Sequence, residues 1–262
     1  MAYETILYEK KGNIAYITLN RPQILNALND TMNRELLEAF AEFDTDEQVW
    51  VAILSGKGRC FCSGADVRQR QLRPPEELAR LGGPVGVSPA DGALGLGRTV
   101  NWKPVIAAIH GYAIGAGFSM AMESDLIVAA ENTQFQITEV GRGLGAPQHW
   151  AKAWFWGGGK FATQVALTSQ FFSAEEAYRL GMVNRVVPAD QHIAEAERLA
   201  EQIMANPPLS VRCNVRVSRY QVRRMCEEAE MYGRALKLHL TEDFRESARA
   251  FVEKRKAVYK GR

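Results

Sequence analysis

The chemistry most readily visible in this sequence belongs to backbone groups. In PVIAAIHGYAIGAGFSMAMESD, residues 104–125, the apolar run from Pro104 to Ile109 reads as a buried strand. His110, Gly111 and Tyr112 follow, then a turn at Gly115-Ala116-Gly117, and then Met120, Ala121 and Met122 among good helix formers. A strand that breaks at small residues and restarts as a helix leaves N–H groups unpaired at the helix start. Those groups, with the helix dipole, hold developing negative charge. Small residues also let a ligand approach the backbone closely. The same three residues equally suit tight packing of a helix on a strand, and on this stretch alone the two readings stand level.

Side-chain chemistry is sparser. The cysteines are Cys60, Cys62, Cys213 and Cys226; Cys60 and Cys62 have one residue between them, which is not the spacing of a zinc pair, and no His pair stands at i, i+4 on a helical stretch. No metal site is expected. Basic residues gather at 216–224 and again at 254–262, as a solvated helix face or as a phosphate-binding rim.

The 262 residues suit one large domain, or one domain with a small appendage. With 47% apolar residues a substantial core is available, and a net charge of +2 gives no reason to expect nucleic acid. No signal segment opens the chain and no apolar run reaches the ~20 residues of a membrane span. A soluble, cytoplasmic protein with reduced thiols is expected.

The elements that must carry the turn come from the pattern along the chain. Residues 4–10 and 13–19 are β-rich runs around the hairpin signal Lys11-Gly12. Asn29 or Asp30 caps a helix over 31–43, with Met32, Leu36, Leu37 and Phe40 on one face. Strands are predicted at 49–54, 104–109, 125–129, 135–140 and 183–187. The segment 70–98, rich in Pro and Gly, reads as an irregular loop, a lid or plain surface chain. Residues 150–166 read as one helix with Trp150, Trp154 and Trp156 at its start; Ser173 caps another that Gly181 closes. From 190 onward the pattern is helical, interrupted at Asn206-Pro207-Pro208. This is a layered α/β core over 1–190 followed by a helical region over 191–262.

Together these stretches resemble the crotonase superfamily, the enoyl-CoA hydratase/isomerase family. NRPQILNALN at 20–29 is similar to the family's early signature, FCSGADV at 61–67 to its first oxyanion loop, and HGYAIGAGFSMAMESDLIVA at 110–129 to its second loop and helix. LTSQFFSAEEAYRLGMVNRVVP at 167–188 and AFVEKRK at 250–256 also fit, so the resemblance runs from about residue 4 to 260. It implies a spiral of repeated ββα units, with a C-terminal helical region that assembles trimers or paired trimers. The ligand implied is an acyl-CoA thioester, with coenzyme A present only as part of the substrate. The N–H groups of Ala65 and Ala116 would form an oxyanion hole for an enolate; at the position of Ala116 the family usually has glycine. Gln23, Ser63, Gly64 and Asp66 would follow the coenzyme A path beside Gly115, and Lys254 of a neighbouring subunit would meet a phosphate.

The chain departs from the family in two places. Hydratases of the family hold water between two glutamates; the second aligns with Glu139, but the first falls on Ser119. Glu123, one turn further on, is offset from that place and is expected to face elsewhere. One carboxylate still removes and returns a proton, which is isomerase chemistry. Ser with Glu also resembles the hydroxycinnamoyl-CoA hydratase-lyases, which use a tyrosine near the C-terminal helices, for which Tyr232 is the candidate. The glycine-rich run after the second glutamate is replaced by Gly145-Ala146-Pro147-Gln148-His149-Trp150. His149 and Trp150 are therefore expected to reshape the acyl pocket, with His149 as a second acid or base or as a surface residue at a helix start. The reading is a lyase or isomerase acting by hydration, double-bond isomerisation or retro-aldol cleavage. The alternatives are a catalytically silent CoA-binding scaffold and a thioester hydrolase.

Overall fold

The computed structural model describes residues 3–83, 94–233 and 236–262. The N-terminal hairpin forms as predicted: β1 (Ile6–Lys11) runs antiparallel to β2 (Ile14–Leu19) around Gly12. Four further strands continue the sheet in parallel, β3 (Val51–Gly56), β4 (Val105–Ile109), β6 (Leu126–Ala130) and β9 (Arg185–Val187), giving the order β1-β2-β3-β4-β6-β9. Parallel strands buried on both faces need continuous apolar runs, and VAILSG and VIAAI supply them. One face packs against α1 (Asp30–Thr45) through Met32, Leu36 and Phe40; the other carries α8 (His192–Met204) through Ala196, Leu199 and Ala200.

A second sheet stands beside the first and gives the fold its ββα spiral. After β4 the chain enters β5 (Tyr112–Ile114) and then α4 (Ala116–Glu123); after β6 it enters β7 (Gln134–Gln136). β5 and β7 are parallel, β8 (Phe171–Ser173) closes the sheet antiparallel, and Cys62, downstream of β3, forms a parallel bridge to Ala113. Three successive layers therefore turn the same corner, one above the next. Phe118, Phe135 and Phe172, all buried, interlock behind these corners, with Phe135 and Phe172 stacked at 5.4 Å.

The structure revises several boundaries. The segment 70–98 is not wholly irregular, because α2 (Val67–Arg70) and α3 (Pro75–Leu81) occupy part of it; residues 84–93, where the loop reading also falls, lie outside the described residues. The single helix predicted over 150–166 is two, α5 (Pro147–Gly157) and α6 (Gly159–Thr168), separated at Gly158 with φ 91° and ψ 149°. Glu139 does not lie in a strand: β7 ends at Gln136, and Glu139 begins a single 3-10 turn over 140–142. The Ser173 cap is a full capping box with Glu176 at the start of α7 (Ala174–Arg179). The chain ends in α9 (Pro208–Gly233) and α10 (Glu242–Glu253), and α10 folds back so that Phe251 and Lys254 reach the central cavity of the same chain. No helix among the described residues is long and apolar enough to cross a membrane.

Asn26 joins the early signature to the first corner. It is fully buried, with φ 54°, a left-handed conformation that Asn tolerates better than most residues. Its Nδ2 donates to the carbonyls of Lys57, Cys60 and Phe61 at 2.9, 2.9 and 3.1 Å, and its Oδ1 accepts from Arg21 N at 2.9 Å. Asn26→Ala should therefore cost about 3 kcal/mol in urea unfolding, because buried carbonyls lose their donor. Asn26→Asp should cost at least as much, since it sets a carboxylate against three carbonyls. A loss under ~1 kcal/mol for both would show that these carbonyls find other donors.

Candidate active site

The first corner, 63–66, is fixed by backbone pairing to the early signature: Ser63 N donates to Leu25 O at 3.0 Å, Leu28 N to Gly64 O at 2.8 Å, and Asp66 N to Leu28 O at 3.0 Å. Gly64 takes φ 102°, and a β-carbon on it would fall 2.9 Å from Ile114 O. Cys62 is sealed behind this corner, where burial pushes its thiol up to about 12 and leaves it a packing group rather than a nucleophile. Asp66 is taken up locally: it accepts from Gln69 N at 3.3 Å to cap α2 and pairs with Arg21 at 3.3 Å.

The second corner is Gly115-Ala116-Gly117. Gly115, at φ 52° and ψ −113°, turns the chain from β5 into α4. A β-carbon at Gly117 would lie 2.4 Å from Cys62 O, so only glycine lets the two corners touch. At the site of a Gly64 β-carbon the nearest atoms also include Ala116 N, at 3.9 Å. The N–H groups of Ala65 and Ala116 therefore lie in adjoining layers, and among the described residues neither meets an acceptor. Two unspent donors on one cavity wall can hold a ligand oxygen that gains charge.

Glu139 belongs to the third layer. A β-carbon on Gly115 would meet its Oε1 at 2.9 Å, which places the carboxylate directly against the second corner. His149 lies against that oxygen: its Nε2 is hydrogen-bonded to Gly115 O at 3.1 Å and stands 3.4 Å from Glu139 Oε1. A carbonyl only accepts, so Nε2 carries the hydrogen. The other oxygen, Oε2, is buried and without a hydrogen-bond partner among the described residues. A buried acceptor left open in a cavity is the feature a proton-accepting group requires. His149 is thus not a solvent residue: its side chain is 16% exposed. It stands beside Glu139, and its ring stacks with Phe118 at 6.2 Å.

These groups line one cavity of about 1060 Å³ together with Gln23, Ser63, Gly64, Asp66, Ser119 and Lys254. Lys254 comes from the chain's own α10, so no neighbouring subunit is needed to bring it there. Two predicted residues are not part of this wall. Trp150 donates from Nε1 to Thr163 at 3.1 Å and packs between α5 and α6. Tyr232 is 78% exposed on α9.

Ser119 points into the cavity but is held from behind by Glu123 and by Lys152, a residue that the sequence pattern did not single out. Lys152 Nζ donates to Ser119 Oγ and to Glu123 Oε1, both at 2.6 Å, and Ser119 Oγ donates to Glu123 Oε1 at 3.0 Å. Glu123 Oε2 accepts from Leu94 N at 3.1 Å. Glu123 stays out of the large cavity, as its offset implies, yet it faces Ser119 rather than away from it. Lys152 is 3% exposed. Its one sequence signal is a lone charge inside the apolar run of α5, AKAWFWG.

A family model described as Enoyl-CoA hydratase/isomerase matches residues 9–262. The chain is similar to a probable enoyl-CoA hydratase of Rhizobium meliloti, 36% identical over 274 residues and all of both chains. It is 37% identical to the mevalonyl-coenzyme A hydratase of Aspergillus fumigatus, over 95% of this chain and 92% of that one. A crystal structure of a carnitinyl-CoA hydratase from Mycobacterium avium superposes over the full length of both chains with a TM-score of 0.83 and 32% identity.

The buried ion pair behind Ser119 makes a stability prediction. Lys152→Met takes the counter-cation from the buried Glu123 and should cost about 3–5 kcal/mol in chemical unfolding. Adding Glu123→Gln should recover much of that loss. Equal unfolding midpoints for Lys152→Met and the parent chain would show that the pair is not formed.

Proposed function

Because the chain belongs to the enoyl-CoA hydratase/isomerase family, we propose that it adds water reversibly across the C2–C3 double bond of a 2-enoyl-CoA thioester, with Glu139 as its acid and base. The observation that carries this reading is one cavity lined by Ala65 and Ala116, whose N–H groups meet no acceptor among the described residues, and by Glu139, whose Oε2 is open.

The steps follow from the groups present. The thioester oxygen accepts from Ala65 N and Ala116 N, which draws electron density from C3. Glu139 Oε2 takes a proton from water as the water oxygen bonds to C3. The electron pair of the double bond moves to the thioester oxygen as an enolate. The enolate then collapses, and C2 takes the proton back from Glu139, so H and OH have been added and the carboxylate is restored. One donor of such a pair is typically worth ~2.7–4 kcal/mol of barrier. His149 on Oε1 keeps Oε2 turned to the water. Ser119, whose hydroxyl already accepts from Lys152 and donates to Glu123, retains a lone pair that accepts from the second water hydrogen. The retro-aldol reading is less supported, because Tyr232, its tyrosine, stands exposed and outside the cavity wall.

The same reading carries coenzyme A as part of the substrate only. Exposed Leu209, Val217 and Met231 on α9 support assembly as a trimer or a pair of trimers. Four unpaired cysteines support a reducing, cytoplasmic setting.

The test mixes the protein with crotonyl-CoA, a 3-enoyl-CoA and a hydroxycinnamoyl-CoA, following enoyl absorbance and free thiol. Loss of the crotonyl absorbance without thiol release is expected, and Glu139→Gln should slow it by roughly 10²–10⁴-fold while ligand binding persists. Thiol release would indicate hydrolysis. Tight binding without turnover of any thioester would indicate a silent scaffold, and full activity of Glu139→Gln would place the base elsewhere.

A further inference from the structure

Arg142 is a half-buried cation on the wall of the cavity with no acceptor for its side chain among the described residues. It ends the 3-10 turn that Glu139 begins, its N donating to Glu139 O at 2.9 Å. Its guanidinium carbon lies 3.8 Å from the centre of the Phe251 ring on α10. The hydroxyls of Tyr259 and Ser247 each donate to Gly141 O at 3.1 Å, so the turn beneath it is held from two sides. Among the described residues, the side-chain N–H groups of Arg142 meet no oxygen, although the residue lines the cavity. Burial lowers its pKa, against the opposing pull of Tyr259 and Glu139. A desolvated guanidinium held in place by a ring but given no partner is suited to an anion supplied by a ligand.

We propose that Arg142 binds a carboxylate on the acyl group, so that the substrate is the CoA thioester of a short dicarboxylic acid and not of a plain fatty acid. The inference rests on the acyl-CoA reading above. With the thioester oxygen on Ala65 and Ala116, and C2 and C3 beside Glu139, Arg142 is one turn further along the same wall. A planar guanidinium meets a carboxylate through two parallel N–H···O bonds, which an aliphatic acyl end cannot accept. The ligand carries a second source of negative charge in the phosphates of coenzyme A, and the test separates the two.

Calorimetric titration of the full chain with butyryl-CoA and glutaryl-CoA needs no turnover, since both are saturated. The parent protein should bind glutaryl-CoA roughly tenfold or more tightly than butyryl-CoA, the range of a charge-assisted pair. Arg142→Met should abolish that preference and leave butyryl-CoA affinity unchanged, and Arg142→Lys should keep part of it. Initial rates on glutaconyl-CoA and crotonyl-CoA should follow the same order in kcat/KM. Equal affinities in the parent protein would overturn the proposal. So would an equal weakening of both ligands by Arg142→Met, which would assign the arginine to a coenzyme A phosphate or to packing on Phe251. If neither thioester binds the parent chain, the acyl-CoA reading itself fails, an outcome distinct from binding without preference.

Discussion

The site depends on a parallel register in the smaller sheet. Cys62 pairs with Ala113, and Tyr112, Ala113 and Ile114 pair in order with Gln134, Phe135 and Gln136. Neighbouring strands lie about 4.8 Å apart, so three chains leaving the sheet at one level bring their next residues together. Those residues are Ser63 to Ala65, Gly115 to Ala116, and Thr138 to Glu139. The ladder brings Ala65, Ala116 and Glu139 to one cavity wall, although they stand far apart along the chain. A slip of one residue between β5 and β7 would turn Phe135 out of the aromatic core and carry Glu139 past Gly115.

Glycine makes that register geometrically possible at two points. At Gly117 the backbone of α4 comes so close to Cys62 O that a methyl group cannot enter, and at Gly115 any side chain would strike the Glu139 carboxylate. The family resemblance places glycine where this chain has Ala116. Its methyl group is accommodated because Ala116 is already the first residue of α4, in ordinary helical conformation, and the donor at issue is its N–H. The surrounding frame is fastened by buried charge in the same manner. Lys103, 2% exposed, donates to Phe43 O and Asp46 O at the C-terminal end of α1, where a cation also suits the helix dipole. Arg219 of α9 clasps Asp125 at 2.9 and 2.5 Å, which docks the long helix onto the entrance to β6.

What could be read along the chain was local. Asn29, Ser173 and Gly12 act through neighbours two to four residues away, and their caps and turn stand where the pattern put them. The strand–turn–helix at 104–123 is likewise written in consecutive residues. β5 has no signal of its own and the run at 135–140 overlaps β7 only at its start, because three residues show no period and their strand character comes from the ladder. The apolar spacing continues on both sides of Gly157-Gly158-Gly159 and so reads as one long helix; the non-helical backbone of Gly158, at φ 91° and ψ 149°, breaks it. Glu139 is legible through its motif, but its neighbour His149, ten residues on, meets it only in the fold. Nothing in the spacing joins Ser119 to Lys152, since that contact forms only when α5 is laid across α4.

The replacement of a carboxylate by Ser119 changes the field of the site as well as its inventory. Two carboxylates around one water repel each other and any anionic acyl group, so a paired-glutamate site favours uncharged chains. Here the corresponding place holds a hydroxyl. The charge of Glu123 is returned to Lys152 within 2.6 Å, outside the large cavity. Glu139 is left as the acid facing the corner, with the Arg142 cation one turn away. In the proposed reaction, an enolate oxygen at Ala65 and Ala116 would form with less opposing negative charge than it would beside two glutamates. In the proposed reaction the missing glutamate, the buried lysine and the arginine without an acceptor among the described residues are three parts of one electrostatic arrangement, in which a hydroxyl would position water and the substrate would supply the negative charge.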